Sequence, residues 1–123
     1  RDAEEAVAFL QLLIKRVDMS IAKNDTLGQN PHGYYCNLPG NEGVTATGIL
    51  ETSHCALHSW NLNHPGKFQF DLYSCKDFDV SYVIDLCNIY GIIKGSYIVV
   101  DRDTDLKVIE AGTLGENGVI HGV

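Results

Sequence analysis

The chain has 123 residues and a formal net charge of −7, from 9 Lys and Arg against 16 Asp and Glu. Its length and its hydrophobic content of 45% are typical of a single globular domain of residues 1–123, and no run reaches the roughly 18 apolar residues of a membrane helix. The acidic balance argues against a nucleic-acid partner, because affinity for a phosphate backbone comes mainly from basic residues. We therefore expect a protein that binds neither nucleic acid nor membrane.

The first segment of the chain predicts a helix. Acidic residues come first, Lys15 and Arg16 come last, and apolar residues recur at a 3,4,3,4 spacing between them. These apolar residues are Ala3, Ala6, Leu10, Leu13 and Val17. The following segment, 24–43, is rich in Asn, Gly and Pro and predicts loops around a short strand at 34–37.

The middle of the chain predicts extended strands. Residues 44–51 and 54–60 read either as one long strand or as two in sequence. A turn at 63–66 then leads into a third run, 67–74, which predicts a hairpin.

The last third of the chain predicts a second helix and further strands. Asp77 or Asp79 is expected to cap the helix, and Gly91 to end it. Its predicted buried stripe is Val80, Val83, Ile84 and Cys87. Residues 97–101 predict a strand, and the tail from Asp103 predicts an edge strand followed by loose coil. The whole order predicts an α+β two-layer sandwich, in which two helices cover one face of an antiparallel sheet.

The cysteine spacing bears on the redox compartment. The four cysteines include no CxxC pair and lack the density of a disulfide scaffold; they are Cys36, Cys55, Cys75 and Cys87. The charged opening RDAEEAVAFLQLLIKRV has no cleavable apolar core of the signal-peptide kind. We expect reduced thiols in a cytoplasmic protein.

The most informative stretch is GVTATGILETSHCALHSW, residues 43–60. Such Ser, His and Cys residues on a strand are most often half-buried and structural. A zinc site is disfavoured because His54 and His58 would lie roughly 13 Å apart on an extended strand, so no metal ligand is predicted. A hydrolase nucleophile, Ser53 or Cys75 with a His base, is disfavoured because neither lies in a GxSxG elbow.

The run TSHCALHSW, a turn and the run FQFDLYSC resemble the core of the S-adenosylmethionine decarboxylase proenzymes of the short bacterial and archaeal type. In that family a Ser-His-x-x-x-His segment follows a GVSG-like strand. A WPE-like turn comes next, and a strand then ends in an aromatic, a small hydroxyl residue and Cys. In this chain the matching elements are GVTATG at 43–48, Ser53-His54 to His58, Ser59-Trp60 and Tyr73-Ser74-Cys75.

The resemblance implies a role for each matching residue. Ser53 resembles the serine that attacks the preceding carbonyl, so that the chain cleaves between Thr52 and Ser53 and residue 53 becomes a pyruvoyl group that forms a Schiff base with the substrate. His58 and Thr45 match the histidine and the strand hydroxyl residue of this processing. Cys75 matches the thiol that returns a proton to the substrate. Because a pyruvoyl carbonyl is itself an electron sink, no other cofactor and no metal is expected.

The implied substrate is the small molecule S-adenosylmethionine, decarboxylated for spermidine and polyamine biosynthesis by a homodimer with shared sites. Trp60, with Tyr34 or Tyr35, is the candidate substrate-binding group. Residues 61–62 are Asn-Leu where the family has Pro-Glu, and residues 38–39 are Leu-Pro where it often has an aromatic. Another amino acid, such as ornithine or arginine, is therefore an alternative substrate. The other alternative is an unprocessed, non-catalytic relative that acts as a binding module.

The spacing of two candidate residues makes a further structural prediction. Ser53 and His58 are five residues apart, so in a regular strand they face opposite sides of the sheet. In that geometry they could not cooperate, so we expect a bulge or a break in the strand near Ser53, with strain at the scissile bond. The family's opening strand precedes its first helix, so the resemblance also implies that this chain lacks an N-terminal strand.

Overall fold

The computed structural model describes residues 3–23, 28–60, 66–103, 105–115 and 118–122. In chain order its elements are α1 (Ala3–Arg16), β1 (His32–Cys36), β2 (Gly43–Leu50), β3 (Ser53–Trp60), β4 (Lys67–Tyr73), α2 (Val80–Cys87), a 3-10 helix (Asn88–Tyr90), β5 (Lys94–Asp101), β6 (Lys107–Gly115) and β7 (Gly118–Gly122). The chain divides into two compact units, residues 1–78 and 79–123. This division does not test the single domain that the length predicts, which stays a prediction.

The first unit is an antiparallel sheet with α1 packed against it. The strand order is β1-β2-β3-β4, so neighbours in the sheet are also neighbours in the chain. The two runs after residue 43 are two strands joined by a tight turn, rather than one long strand. The predicted hairpin of β3 and β4 is confirmed, while most of its connecting turn lies outside the described residues.

The core of this unit lies between α1 and one face of the sheet. The predicted apolar stripe is buried at Ala6, Leu10, Leu13 and Val17, whereas Ala3 is half-buried. Phe9 and Ile14 widen the stripe. The ring of Phe9 packs edge-to-face on Phe68 and Phe70, with centroid distances of 6.2 and 6.1 Å. The buried sheet residues alternate along β2 and β3 and are Val44, Ala46, Leu50, Cys55 and Leu57. We call this side of the sheet the α1 face and the opposite side the far face.

A glycine is required where β2 begins. A Cβ atom at Gly43 would lie 2.2 Å from the carbonyl oxygen of Ser59 on the neighbouring strand. No side chain fits at that distance, which explains why the GVTATG run opens with glycine.

The second unit combines α2 with a sheet in the order β5-β6-β7. Of the two expected caps, Asp79 is the one found, and its carboxylate accepts the N–H of Ser81 at 2.9 Å. Val83, Ile84 and Cys87 are buried as predicted, and so is Leu86, whereas Val80 is half-buried. Gly91, with a φ of 65°, ends the 3-10 helix that follows.

Two expectations about the sheets need correction. The α+β class with two helices and antiparallel strands is confirmed, but the described strands form two sheets, one in each unit, rather than one. The tail is also not an edge strand followed by coil, because β6 is a middle strand and β7 pairs with it. Register shifts at Val99/Val100 and Thr113/Leu114 interrupt the pairing, and they break the period-two pattern by which strands are recognised.

Among the described helices, none combines the length and apolarity that crossing a bilayer requires.

Candidate active site

The candidate scissile bond lies in the turn between β2 and β3. Leu50 pairs with Ser53, which leaves Glu51 and Thr52 as a two-residue turn. Thr52 has a φ of 67°, a left-handed conformation that costs a β-branched residue about 1–3 kcal/mol. The register between β2 and β3 is regular from Ser53 to Trp60. The predicted strain is present at Thr52, but the bulge or break predicted near Ser53 is wrong: β3 is regular, so Ser53 and His58 face opposite sides of the sheet.

Ser53 and Cys75 contact each other although they are far apart in the chain. The backbone N–H of Cys75 donates to Oγ of Ser53 at 3.2 Å. The thiol of Cys75 donates to the carbonyl oxygen of Thr52 at 2.9 Å. The register of β3 with β4 produces this proximity, because His54 pairs with Tyr73 at the end of the hairpin. A hydroxyl nucleophile, the carbonyl that it would attack and a thiol donor thus form one cluster.

This cluster opens into a cleft of about 260 Å³. The cleft is lined by Asp18, Met19, Ser20, Glu51, Thr52, Ser53, Cys75 and Lys76. The ammonium group of Lys76 donates a hydrogen bond to the carbonyl oxygen of Asp18, at the end of α1. Two carboxylates, one ammonium group and the two candidate reactive side chains therefore share the cleft, and none of its lining residues is aromatic.

A second set of contacts supports the turn from the other side of β2. The N–H of Glu51 donates to Ser20 O, and the N–H of Ala22 donates to Ile49 O, both at 3.0 Å. The side-chain amide of Asn30 bonds both backbone groups of Ile49, at 2.9 and 2.7 Å, and donates to Ala22 O at 2.8 Å. The side chain of Asn30 therefore makes the hydrogen bonds with Ile49 that a neighbouring strand would otherwise make at the end of β2. The sequence does not predict this role of Asn30, because an Asn-Pro pair in a loop indicates only a turn.

Thr45 and His58 form a second cluster, on the far face. They are directly paired across β2 and β3, and Thr45 Oγ1 lies 3.0 Å from His58 Nδ1. The imidazole stacks on Trp60 at a centroid distance of 5.7 Å. Ser53 lies five residues away along β3, roughly 16 Å at about 3.3 Å per residue, and alternation places it on the α1 face. Within one chain the structure does not bring this pair to Ser53.

The three candidate substrate-binding residues occupy different places. Tyr34 is 65% exposed and pairs with Thr45, so it shares the far face with Trp60. Tyr35 pairs with the buried Val44 and is on the α1 face. None of the three lines the cleft at Ser53. His54, expected here only as a disfavoured metal ligand, stacks on Tyr73, and no group of three metal-ligating side chains occurs among the described residues.

The four cysteines differ sharply in environment. All are free thiols, as the spacing predicts. Burial raises the pKa of Cys55 to about 11 and that of Cys87 to about 12. These two thiols are therefore inert near neutral pH, whereas Cys75 is exposed beside the scissile bond.

Comparison with known proteins identifies the family. The sequence model of the S-adenosylmethionine decarboxylase family matches residues 1–90 of the 123, a range that includes both clusters. The chain belongs to this family, so the resemblance drawn from residues 43–75 is confirmed. Searches among curated proteins and among solved structures gave no significant match.

Proposed function

We propose that the chain is a pyruvoyl-dependent S-adenosylmethionine decarboxylase of spermidine biosynthesis, acting in the cytoplasm, which makes its own pyruvoyl group by cleavage between Thr52 and Ser53. Membership of a decarboxylase family supports the reaction class. The observation that carries the proposal is the contact of Cys75 with both Ser53 Oγ and the Thr52 carbonyl oxygen at a strained turn.

In the proposed cleavage the nucleophile and the carbonyl belong to adjacent residues, and Cys75 hydrogen-bonds both. Ser53 Oγ adds to the carbonyl carbon of Thr52, and the amide bond between the two residues breaks as an ester forms. Elimination then breaks the Cβ–Oγ bond of residue 53 and leaves a carboxylate on Thr52. Water finally displaces the nitrogen of residue 53 as ammonia, which leaves the pyruvoyl group.

Cys75 has a part in both halves of this chemistry. Negative charge develops on the Thr52 carbonyl oxygen during the first addition, and the Cys75 thiol donates to that oxygen at 2.9 Å. After cleavage the pyruvoyl carbonyl would supply the electron sink for decarboxylation. The same thiol lies beside residue 53, where it can return a proton to the substrate carbon. Ser53 and Cys75 therefore fit the formation and use of a pyruvoyl group at residue 53.

The separation of the two clusters supports a homodimer with shared sites. Thr45 and His58 are on the far face, roughly 16 Å along the strand from Ser53. For this pair to act in processing, a second copy must present its own Thr45 and His58 to Ser53. The hydrogen bond of Thr45 to Nδ1 orients the ring, so that Nε2 is the nitrogen that exchanges a proton.

A second candidate keeps this chemistry with a basic amino acid, such as ornithine or arginine, as the substrate. The cleft at Ser53 is lined by two acidic residues, Asp18 and Glu51, against one basic residue, Lys76, and none of its lining residues offers an aromatic ring on which an adenine could stack. Such a lining suits a side-chain ammonium or guanidinium group. Trp60 and Tyr34, the proposed substrate-binding aromatics, are on the far face and would reach the substrate only from a second copy.

The proposal is tested by the intact mass of freshly purified, denatured protein before and after treatment with hydroxylamine. We expect fragments 1–52 and 53–123, of which only the larger carries a reactive carbonyl. Ser53→Ala should stay whole, whereas Ser59→Ala, a matched serine on the same face of β3, should cleave normally. Carboxyl-labelled S-adenosylmethionine, ornithine and arginine then distinguish the substrates by the CO₂ released. A wild-type chain that stays whole would refute the proposal and favour a non-catalytic binding module.

A further inference from the structure

The two hydrogen bonds that hold Cys75 at the candidate site depend on the bond that is cut. Its N–H donates to Ser53 Oγ, and its thiol donates to the Thr52 carbonyl oxygen. In the proposed cleavage Ser53 Oγ leaves with Thr52, as one oxygen of the new carboxylate. Both acceptors then belong to the end of fragment 1–52, whereas the thiol must serve residue 53 during turnover.

The contact of the neighbouring residue, Lys76, does not depend on that bond. Its ammonium group donates to the carbonyl oxygen of Asp18. Asp18 follows α1 in a Schellman motif and has a φ of 57°. Its N–H donates to the carbonyl oxygen of Lys15, and the N–H of Met19 donates to the carbonyl oxygen of Ile14. The carbonyls at a helix C-terminus carry partial negative charge, which favours a cation. None of these atoms makes or breaks a covalent bond during cleavage.

The backbone from Ser74 to Lys76 connects the Lys76–Asp18 contact to Cys75. The N–H of Lys76 donates to Ser74 Oγ at 3.0 Å, and that hydroxyl donates to the Lys76 carbonyl at 2.6 Å. The short turn so formed contains Cys75, so the position of Lys76 restrains the backbone that carries the thiol. We propose, on the basis of the proposed function, that Lys76 is a positioning residue that holds Cys75 at residue 53 after cleavage, through the carbonyl of Asp18.

The test compares Lys76→Met with Lys76→Arg, which keeps a cationic donor, and with Lys94→Met, an exposed lysine on β5. Before cleavage Cys75 has its own contacts, so the half-time of cleavage should stay within about twofold of wild type in all three variants. After cleavage, kcat of Lys76→Met should fall about tenfold with KM nearly unchanged, and Lys76→Arg should restore most of it. The backbone order parameter of residue 75 should fall from about 0.85 to below about 0.6 in cleaved Lys76→Met.

Each outcome separates this inference from the proposed function. A wild type that never cleaves overturns the proposed function, and this inference with it. A wild type that cleaves, with kcat and the order parameter unchanged in Lys76→Met, overturns the role of Lys76 alone. Parallel loss of cleavage and turnover would also overturn it, since that is a general structural effect. Lys76 is exposed, so Lys76→Met is expected to fold; circular dichroism checks this, and Lys76→Gln replaces it in the same measurements if it does not.

Discussion

At the scale of single residues, Cys75 is the residue that the proposed cleavage and the proposed decarboxylation share. Replacement by Ala removes the donor to the Thr52 carbonyl, so we expect cleavage to slow about tenfold, because a thiol is a weak donor. Turnover should be lost, since the proton donor is gone. Time courses of intact mass measure the first effect and CO₂ release the second. Cys36→Ala is the matched control, and cleavage at an unchanged rate in Cys75→Ala would exclude the oxyanion contact.

The left-handed conformation of Thr52 predicts that a change that relieves its strain stabilises the chain and slows cleavage. In a Ser53→Ala background, which we expect to stay whole, Thr52→Gly should raise the free energy of unfolding by about 1 kcal/mol, because glycine adopts a positive φ without strain. With Ser53 present, the same change should slow cleavage, since the strain released at this bond is smaller. Thr47→Gly, at an exposed position inside β2, should instead destabilise the chain. Urea unfolding and intact mass measure the two effects, and a destabilising Thr52→Gly would contradict the prediction.

The buried thiol of Cys55 makes stability depend on alkaline pH. Burial raises its pKa from 9.0 to about 11, so the unfolded chain loses this proton at lower pH than the folded chain does. The resulting stabilisation is complete below pH 9 and is lost as the pH rises toward 11. We expect urea midpoints to fall over this window and Cys55→Ala to reduce the slope. An equal slope in Cys55→Ala would assign the effect to other groups.

At the scale of elements, the packing of α1 on the sheet stabilises the first unit. Phe9 is 5% exposed and contacts the rings of Phe68 and Phe70, so Phe9→Ala should cost about 3–5 kcal/mol of unfolding free energy. Leu12, on the same helix, is 41% exposed, and Leu12→Ala should change the free energy by less than about 1 kcal/mol. Urea unfolding of both variants is the measurement. Similar losses in the two would mean that α1 does not pack as described.

The elements also show which parts of the structure can be read from the sequence. The α1 stripe and the β3–β4 hairpin follow from local periodicity and turn residues, and both were predicted. β7 was missed because register shifts and glycines remove the alternation. Ser53, Thr52 and Cys75 were found through a family resemblance. The contacts of Lys76 with Asp18 and of Asn30 with Ile49 join residues far apart in the chain. No local sequence pattern predicts such contacts.

At the scale of the whole molecule, the two clusters of one chain predict cooperation between chains. Ser53 and Cys75 are on one side of the sheet of the first unit, and Thr45 and His58 are on the other. A Ser53→Ala chain retains Thr45 and His58, the proposed processing pair, and a His58→Ala chain retains Ser53, the proposed nucleophile. Each variant alone should stay whole. A mixed dimer, however, contains one complete site, formed by Ser53 of one chain and His58 of the other.

Co-expression of the two variants therefore tests the shared site, because their masses distinguish the chains. With equal expression and random pairing, about half of the His58→Ala chains should be cleaved between Thr52 and Ser53, since about half lie in mixed dimers. The Ser53→Ala chains should all stay whole and serve as the internal control. If His58→Ala chains stay whole in the mixture and wild type cleaves, processing does not use a partner's histidine. If His58→Ala cleaves alone, His58 has no part in processing.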